Sequence, residues 1–358
     1  MSSTVLITGT TAFLGAHVVE RFLHAGWTVH ATIRSSSKQP ALESSPFFGP
    51  FIQSGKLKLF TVGDLTTANY SDAIKGCTAV VHVASPVEFT SNDFRKDYLA
   101  PAQEGTRSVV EAAIKEEGVK HIVMTSTYGA VGSHQDAPWK QVGTTFTEAN
   151  WNPYTLEQLD EIAKTGVNTN PYFPPQSLYY MGAKKYAEIT ATELCDEARK
   201  KGRDISFAAM NCVIIAGPPI QPQDSLSQGG MSTEIFYALL GGKDAPIAPA
   251  DFPYMVDVRD AAEAHYQAVV RDADGRFNLS GGPYSFQQVV DFLHQAYPAE
   301  SHRVPVGTPG KYEYKDPGVY GFDSSKSTRE LGIKYHTFEE TMTAAYDRFL
   351  QLEKEGLK

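Results

Sequence analysis

The 358 residues carry 32 Lys+Arg against 41 Asp+Glu, a formal charge of -9, with 42% hydrophobic and 20% charged residues. That balance, with no basic run, argues against nucleic acid or an anionic membrane as partner, since both need concentrated positive surface. It suits one large α/β domain with a smaller lobe. No apolar run approaches bilayer length, and the start lacks a charged region followed by a signal-length apolar stretch, so a cytoplasmic protein is expected. Cys77, Cys195 and Cys212 are an odd count without close spacing, which predicts reduced structural thiols and neither disulfide nor metal site.

In chain order, the apolar run at 4–8 reads as a strand, and the helical spacing of Leu14, Val18, Val19, Phe22 and Leu23 as a helix over 14–25 that stops at Gly26. Strands follow at 28–33, 56–62 and 79–83, then a long helix at 98–116 and a fifth strand at 121–126. Residues 133–176 read as a long connection rather than a core element, of the kind that forms pocket walls. A helix over 178–200 and a strand over 205–210 come next. The chain is then rich in Pro, Gly and Gln up to 230, and returns through 255–260 and 275–280. Such alternation predicts an α/β, Rossmann-type, doubly wound parallel sheet with ligands at the carboxyl ends of the strands. Residues 1–211 plus 256–281 would form the dinucleotide-binding domain. Residues 212–255 plus 282–358 would form a smaller C-terminal substrate lobe.

The first strand runs into Thr8-Gly9-Thr10-Thr11-Ala12-Phe13-Leu14-Gly15. Gly9 permits a sharp turn out of the strand, the small Ala12 lets backbone N–H groups approach a pyrophosphate, and Gly15 lets the helix pack against the sheet. The stretch Thr11, Ala12, Phe13, Leu14 and Gly15 would cradle the phosphates. At the end of the second strand an NAD site places an acid; here stands Arg34, with Lys38 four residues on and no acid between 28 and 39. An acid would repel a 2'-phosphate and a guanidinium grips one, so the pattern favours NADPH.

Tyr180 and Lys184 are the only Tyr-x-x-x-Lys pair among 18 tyrosines, and four residues apart they share a helix face. A lysine cation beside the phenol is expected to lower its pKa and make it a proton donor and acceptor near neutrality. Lys184 can also bond the nicotinamide ribose. A hydroxyl at the end of the fifth strand should hold the substrate carbonyl. Of Thr125, Ser126 and Thr127, strand alternation groups the two threonines, and Thr127 is the choice.

At these residues the chain resembles the extended short-chain dehydrogenase/reductase superfamily, in particular fungal methylglyoxal and aldehyde/ketone reductases related to plant dihydroflavonol and cinnamoyl-CoA reductases. The likeness spans nearly the whole chain and rests on residues 8–15, Arg34, Gly63-Asp64-Leu65, His82-Val-Ala-Ser-Pro86, Thr125 to Val131, Trp151-Asn-Pro153, Tyr180 to Lys184, Gly217-Pro218 and Val256 to Asp260. It implies that Asp64 and Leu65 border the adenine, that Ala84, Ser85 and Pro86 border the ribose and nicotinamide, and that Ser227 meets the pyrophosphate. It places the backbone of Cys212 and Val213 at the carboxamide, and the pocket between sheet and lobe. The chain departs from the family at Ala12 for glycine, Thr127 for serine and Cys212 for proline.

Sugar-nucleotide dehydratases carry an Asp-Glu pair after the catalytic Thr, whereas Thr127 is followed by Tyr128-Gly129. Simple carbonyl reduction is therefore expected, with epimerase or lyase chemistry, or a non-catalytic NADP sensor, as alternatives. Phe89, Tyr128, Val131, Phe173, Tyr179, Phe236 and Tyr254 are candidates to line an apolar pocket for an aldehyde or ketone.

Overall fold

The computed structural model describes residues 3–85, 89–168, 170, 172–226 and 229–357. β1 (Thr4–Thr8), β2 (Thr28–Ile33), β3 (Leu57–Thr61), β4 (Ala79–His82), β5 (His121–Thr127) and β6 (Ser206–Cys212) lie in one parallel sheet. β7 (Ile214–Ala216) and β8 (Tyr254–Asp257) leave it for a smaller sheet, and β9 (Gly275–Leu279) returns to pair with β6. The order is β9-β6-β5-β4-β1-β2-β3, so the winding reverses between β1 and β4, the crevice where the glycine turn emerges. β8 also pairs with β10 (Gly282–Pro283) in the small sheet.

Successive residues on the central strands serve opposite faces. Val5, Ile7, Val81 and Val123 join one core, while Leu6, Val80, Ile122 and Met124 join the other. Burial on both faces is why these strands read as continuous apolar runs. Helices α1 (Phe13–His24) and α5 (Val258–Val270) pack together on the first face. On the second are α2 (Ala100–Lys115) and α4 (Pro175–Lys200). A third core is built on Phe236, Tyr284, Leu293, Tyr346 and Phe349.

The connection over 133–176 is less irregular than expected, because it contains α3 (Leu156–Thr165). Thr155 caps it in a reciprocal box with Gln158, and Gly166, at φ 66°, ends it. α3 buries Leu159 and Ile162 against α4. Gly182, between Tyr180 and Lys184, leaves room for Leu159 Cδ1. β5 and β6 each run further than expected, so that Thr127 and Cys212 are paired in register at the sheet's end. The helix expected over 98–116 begins with one wide turn, Phe94–Leu99, before α2.

Candidate active site

The glycine turn meets its steric demands tightly. Gly9 sits at φ 75°, and a Cβ there would come within 2.7 Å of Ala84 N; one on Gly15 would fall onto the Gly9 carbonyl oxygen. Ala12 is the residue before α1, no side chain caps that helix, and its first turn has no acid. The N–H groups and the positive end of the helix dipole are thus directed at whatever anion sits there.

The two cations lie at the far side of the crevice, each with an acidic neighbour that the sequence did not reveal. Arg34 Nη2 donates to Asp64 Oδ2 at 2.9 Å, and Lys38 Nζ lies 3.7 Å from Asp224 Oδ2. The Thr66 N–H and hydroxyl, then Arg34, hold the Asp64 carboxyl below its usual range. Thr11, Lys38, Ser45, Gln221, Asp224 and Arg348 border one cleft of about 300 Å³. Leu65, Ala84, Ser85 and Lys184 line a second, water-sized cavity of about 10 Å³ with His82. Of the residues implied for the cofactor, Pro86 and Ser227 lie outside the described residues.

Tyr180 and Lys184 lie on the stretch of α4 that faces the sheet. Lys184 is 4% exposed and its Nζ donates to the carbonyl oxygen of Thr125 at 2.8 Å, tying it to the strand that ends in Thr127. Thr127 Oγ1 accepts from Gly129 N at 3.2 Å. A Cβ on Gly129 would come within 2.8 Å of Met181 Cγ, so the turn after Thr127 packs directly on the residue next to Tyr180. The other two hydroxyls are engaged elsewhere: alternation turns Ser126 to the opposite face, where it bonds Glu188, and Thr125 Oγ1, on the same face as Thr127, meets His265 Nε2 at 2.8 Å. Thr127 is the one of the three not committed to a helix.

One expectation is corrected. Burial pushes the Tyr180 phenol up to about 12 rather than down toward neutrality. Burial likewise brings Lys184 down to about 8, against the opposing pull of Glu188 and Cys212. Desolvation disfavours both charged forms, raising the phenol and lowering the ammonium.

The aromatic candidates divide. The Phe89 ring is 5.2 Å from that of Tyr180. Tyr128 and Tyr254 both stack on Tyr320, at 5.1 and 5.6 Å, and Phe173 packs on Phe252 and His134 beside them. Val131, Tyr179 and Phe236 are core side chains, one in each of the three cores, and Tyr128 and Phe173 are likewise buried in the first and second cores. Two polar residues that the sequence reading passed over complete the surroundings of the site. Glu188 and Arg276 form an ion pair beneath it, with Glu188 fully buried. Its position four residues beyond Lys184, on the same face, was the available signal.

A parallel sheet with its winding reversal at a glycine turn, and a Tyr-x-x-x-Lys helix beside the fifth strand, define a nucleotide-dependent enzyme of the doubly wound class. The chain belongs to the NAD dependent epimerase/dehydratase family, whose sequence profile matches residues 5–280. It is 34% identical over 343 residues to an uncharacterized oxidoreductase of Schizosaccharomyces pombe, covering 94% of each chain. It is 28% identical to the NADPH-dependent methylglyoxal reductase of Saccharomyces cerevisiae, covering 98% of this chain and 99% of that one. Among solved structures it resembles yeast methylglyoxal/isovaleraldehyde reductase complexed with NADPH, with a TM-score of 0.83 and 27% identity over 98% of this chain and 99% of that one. Among the described residues no group of His, Cys, Asp or Glu could hold a metal, and no helix is long and apolar enough to cross a membrane.

Proposed function

We propose that this oxidoreductase reduces an aldehyde or ketone carbonyl to the alcohol, with NADPH as cofactor. The observation that carries the reading is geometric: Tyr180 lies one turn before Lys184 on a helix that Lys184 Nζ ties to the Thr125 carbonyl and that packs against the turn following Thr127. NADPH, when bound, supplies the hydride. Tyr180 gives its proton to the carbonyl oxygen as charge develops there. Thr127 Oγ1 accepts from Gly129 N and keeps its own hydrogen to donate to that oxygen. Lys184, cationic below about pH 8, stabilises the phenolate left behind.

Arg34 and Lys38 at the end of β2, with the uncapped start of α1, suit a 2'-phosphorylated dinucleotide. The S. cerevisiae relative is named as NADPH-dependent, and the similar solved structure contains NADPH. Dehydratase chemistry is disfavoured because Tyr128 and Gly129 stand where an acid and base pair would follow Thr127, and epimerase chemistry because Arg34 stands after the second strand where an acid would be expected. We take the cofactor-binding domain to comprise residues 1–211 plus 256–281 and the substrate lobe to comprise 212–255 plus 282–358.

The test is oxidation of NADPH and NADH by purified protein, followed by absorbance against dicarbonyls, aliphatic aldehydes and aryl ketones. Turnover with NADPH on any of them supports the reading. Tight NADPH binding with no oxidation across the panel overturns it in favour of a sensor. Tyr180→Phe is expected to lower kcat by at least about 100-fold, with the Kd for NADPH within about twofold of wild type. Full activity of that variant removes Tyr180 from the mechanism.

A further inference from the structure

Glu188 lies on α4 one turn beyond Lys184 and two beyond Tyr180. It has no solvent exposure, yet both of its carboxylate oxygens are engaged. Oε1 accepts from Arg276 Nε at 2.5 Å. Oε2 accepts from Ser126 Oγ and, at 2.9 Å, from Asn211 Nδ2. Arg276, on β9, places its guanidinium carbon over the Trp151 ring, 3.7 Å from the centroid. Its remaining nitrogens donate to main-chain carbonyls: Nη1 to Glu148 at 2.7 Å and to Asn150, Nη2 to Ala130 at 3.4 Å. Three of these contacts end beside functional positions. Ser126 precedes Thr127, Asn211 precedes Cys212, and Ala130 lies in the turn after Thr127. One buried ion pair therefore links α4, β5, β6, β9 and the segment at 130–150. A well-packed apolar pair would stabilise the fold as well as a buried ion pair or better, so stability alone does not account for it.

We propose that Glu188 and Arg276 are positioning residues for the reduction, fixing the catalytic helix against the ends of β5 and β6 and setting the charge around Lys184. This rests on the carbonyl-reductase reading of the same site. The titratable groups around Lys184 are Tyr180 and Glu188 on its own helix, His82 from β4 and Cys212 from β6. Burial keeps His82 neutral, at about 3, and raises both Cys212 and Tyr180 to about 12, so Glu188 is the group that brings negative charge. Without that charge Lys184 deprotonates at lower pH.

The experiment is the pH profile of NADPH-dependent turnover, with melting temperature measured alongside, for wild type, Glu188→Gln, Glu188→Asp and Tyr180→Phe. Glu188→Gln is expected to move the alkaline limb about one pH unit toward acid and to lower kcat about tenfold or more. Glu188→Asp keeps the charge and withdraws the carboxylate, so its limb should stay while kcat falls. A Glu188→Gln protein with the wild-type limb overturns the proposal, whether or not its melting temperature has dropped. Should Glu188→Gln not fold, Ser126→Ala decides. It removes one bond to the carboxylate without unpairing a charge, and a several-fold loss of kcat supports the proposal where an unchanged kcat ends it. An active Tyr180→Phe would instead count against the underlying mechanism, whatever the Glu188 variants do.

Discussion

At the scale of single residues, the cofactor end of the crevice makes the sharpest claim. Arg34 is exposed and, among the described residues, is held by Asp64 at the surface, so a 2'-phosphate can compete for it without breaking a buried contact. Arg34→Glu would set two carboxylates against each other where the phosphate belongs. The NADPH over NADH preference, read as a ratio of kcat/KM, should fall on the order of 100-fold; an unmoved ratio would make Arg34 a surface residue. Gly9, Ala12 and Gly15 were legible because a turn out of a strand into a helix limits side-chain size at fixed spacing. Arg276 was not, since it lies 88 residues from Glu188 on β9, a strand brought there by its pairing with β6. The Tyr180 phenol was misjudged for a related reason. Its proton affinity is set by burial, and burial depends on what the whole chain packs over it.

At the scale of elements, strands and long helices declared themselves by apolar runs and periodicity, and their ends were misplaced by a residue or two where pairing continued past the apolar stretch. α3 was missed although its signals were local: Thr155-x-x-Gln158 at its start and Gly166 at its end. The surrounding Trp, Asn and Pro residues outweighed them. The helix buttresses α4 through Leu159 against Gly182, and its cap is separate from that contact. Thr155→Ala should therefore cost about 1 kcal/mol of stability, measured by urea unfolding, while leaving kcat at the wild-type value. A large fall in kcat would mean that fraying of α3 reaches the catalytic helix.

Over the whole molecule, buried histidines make the fold sensitive to acid. His17, His82, His134 and His265 are buried, and burial brings all four down to about 3 or 4. The unfolded chain takes up protons on them below about pH 6.5 while the native state does not, so stability is lost as pH falls from there toward 4. The slope is about 1.4 kcal/mol per histidine per pH unit. The melting temperature should drop steeply between pH 6.5 and 5, and a flat profile would show that these imidazoles accept protons in place.

The return of β9 to the sheet also has a consequence in time. During synthesis Tyr180, Lys184 and Glu188 leave the ribosome well before residue 276, and at that stage the outermost strand and the guanidinium opposite Glu188 do not yet exist. A nascent chain that packed its catalytic helix early would enclose a carboxylate without its counter-charge. Domains tend to fold as units as they emerge, so final closure of the catalytic helix should wait for about another ninety residues of translation.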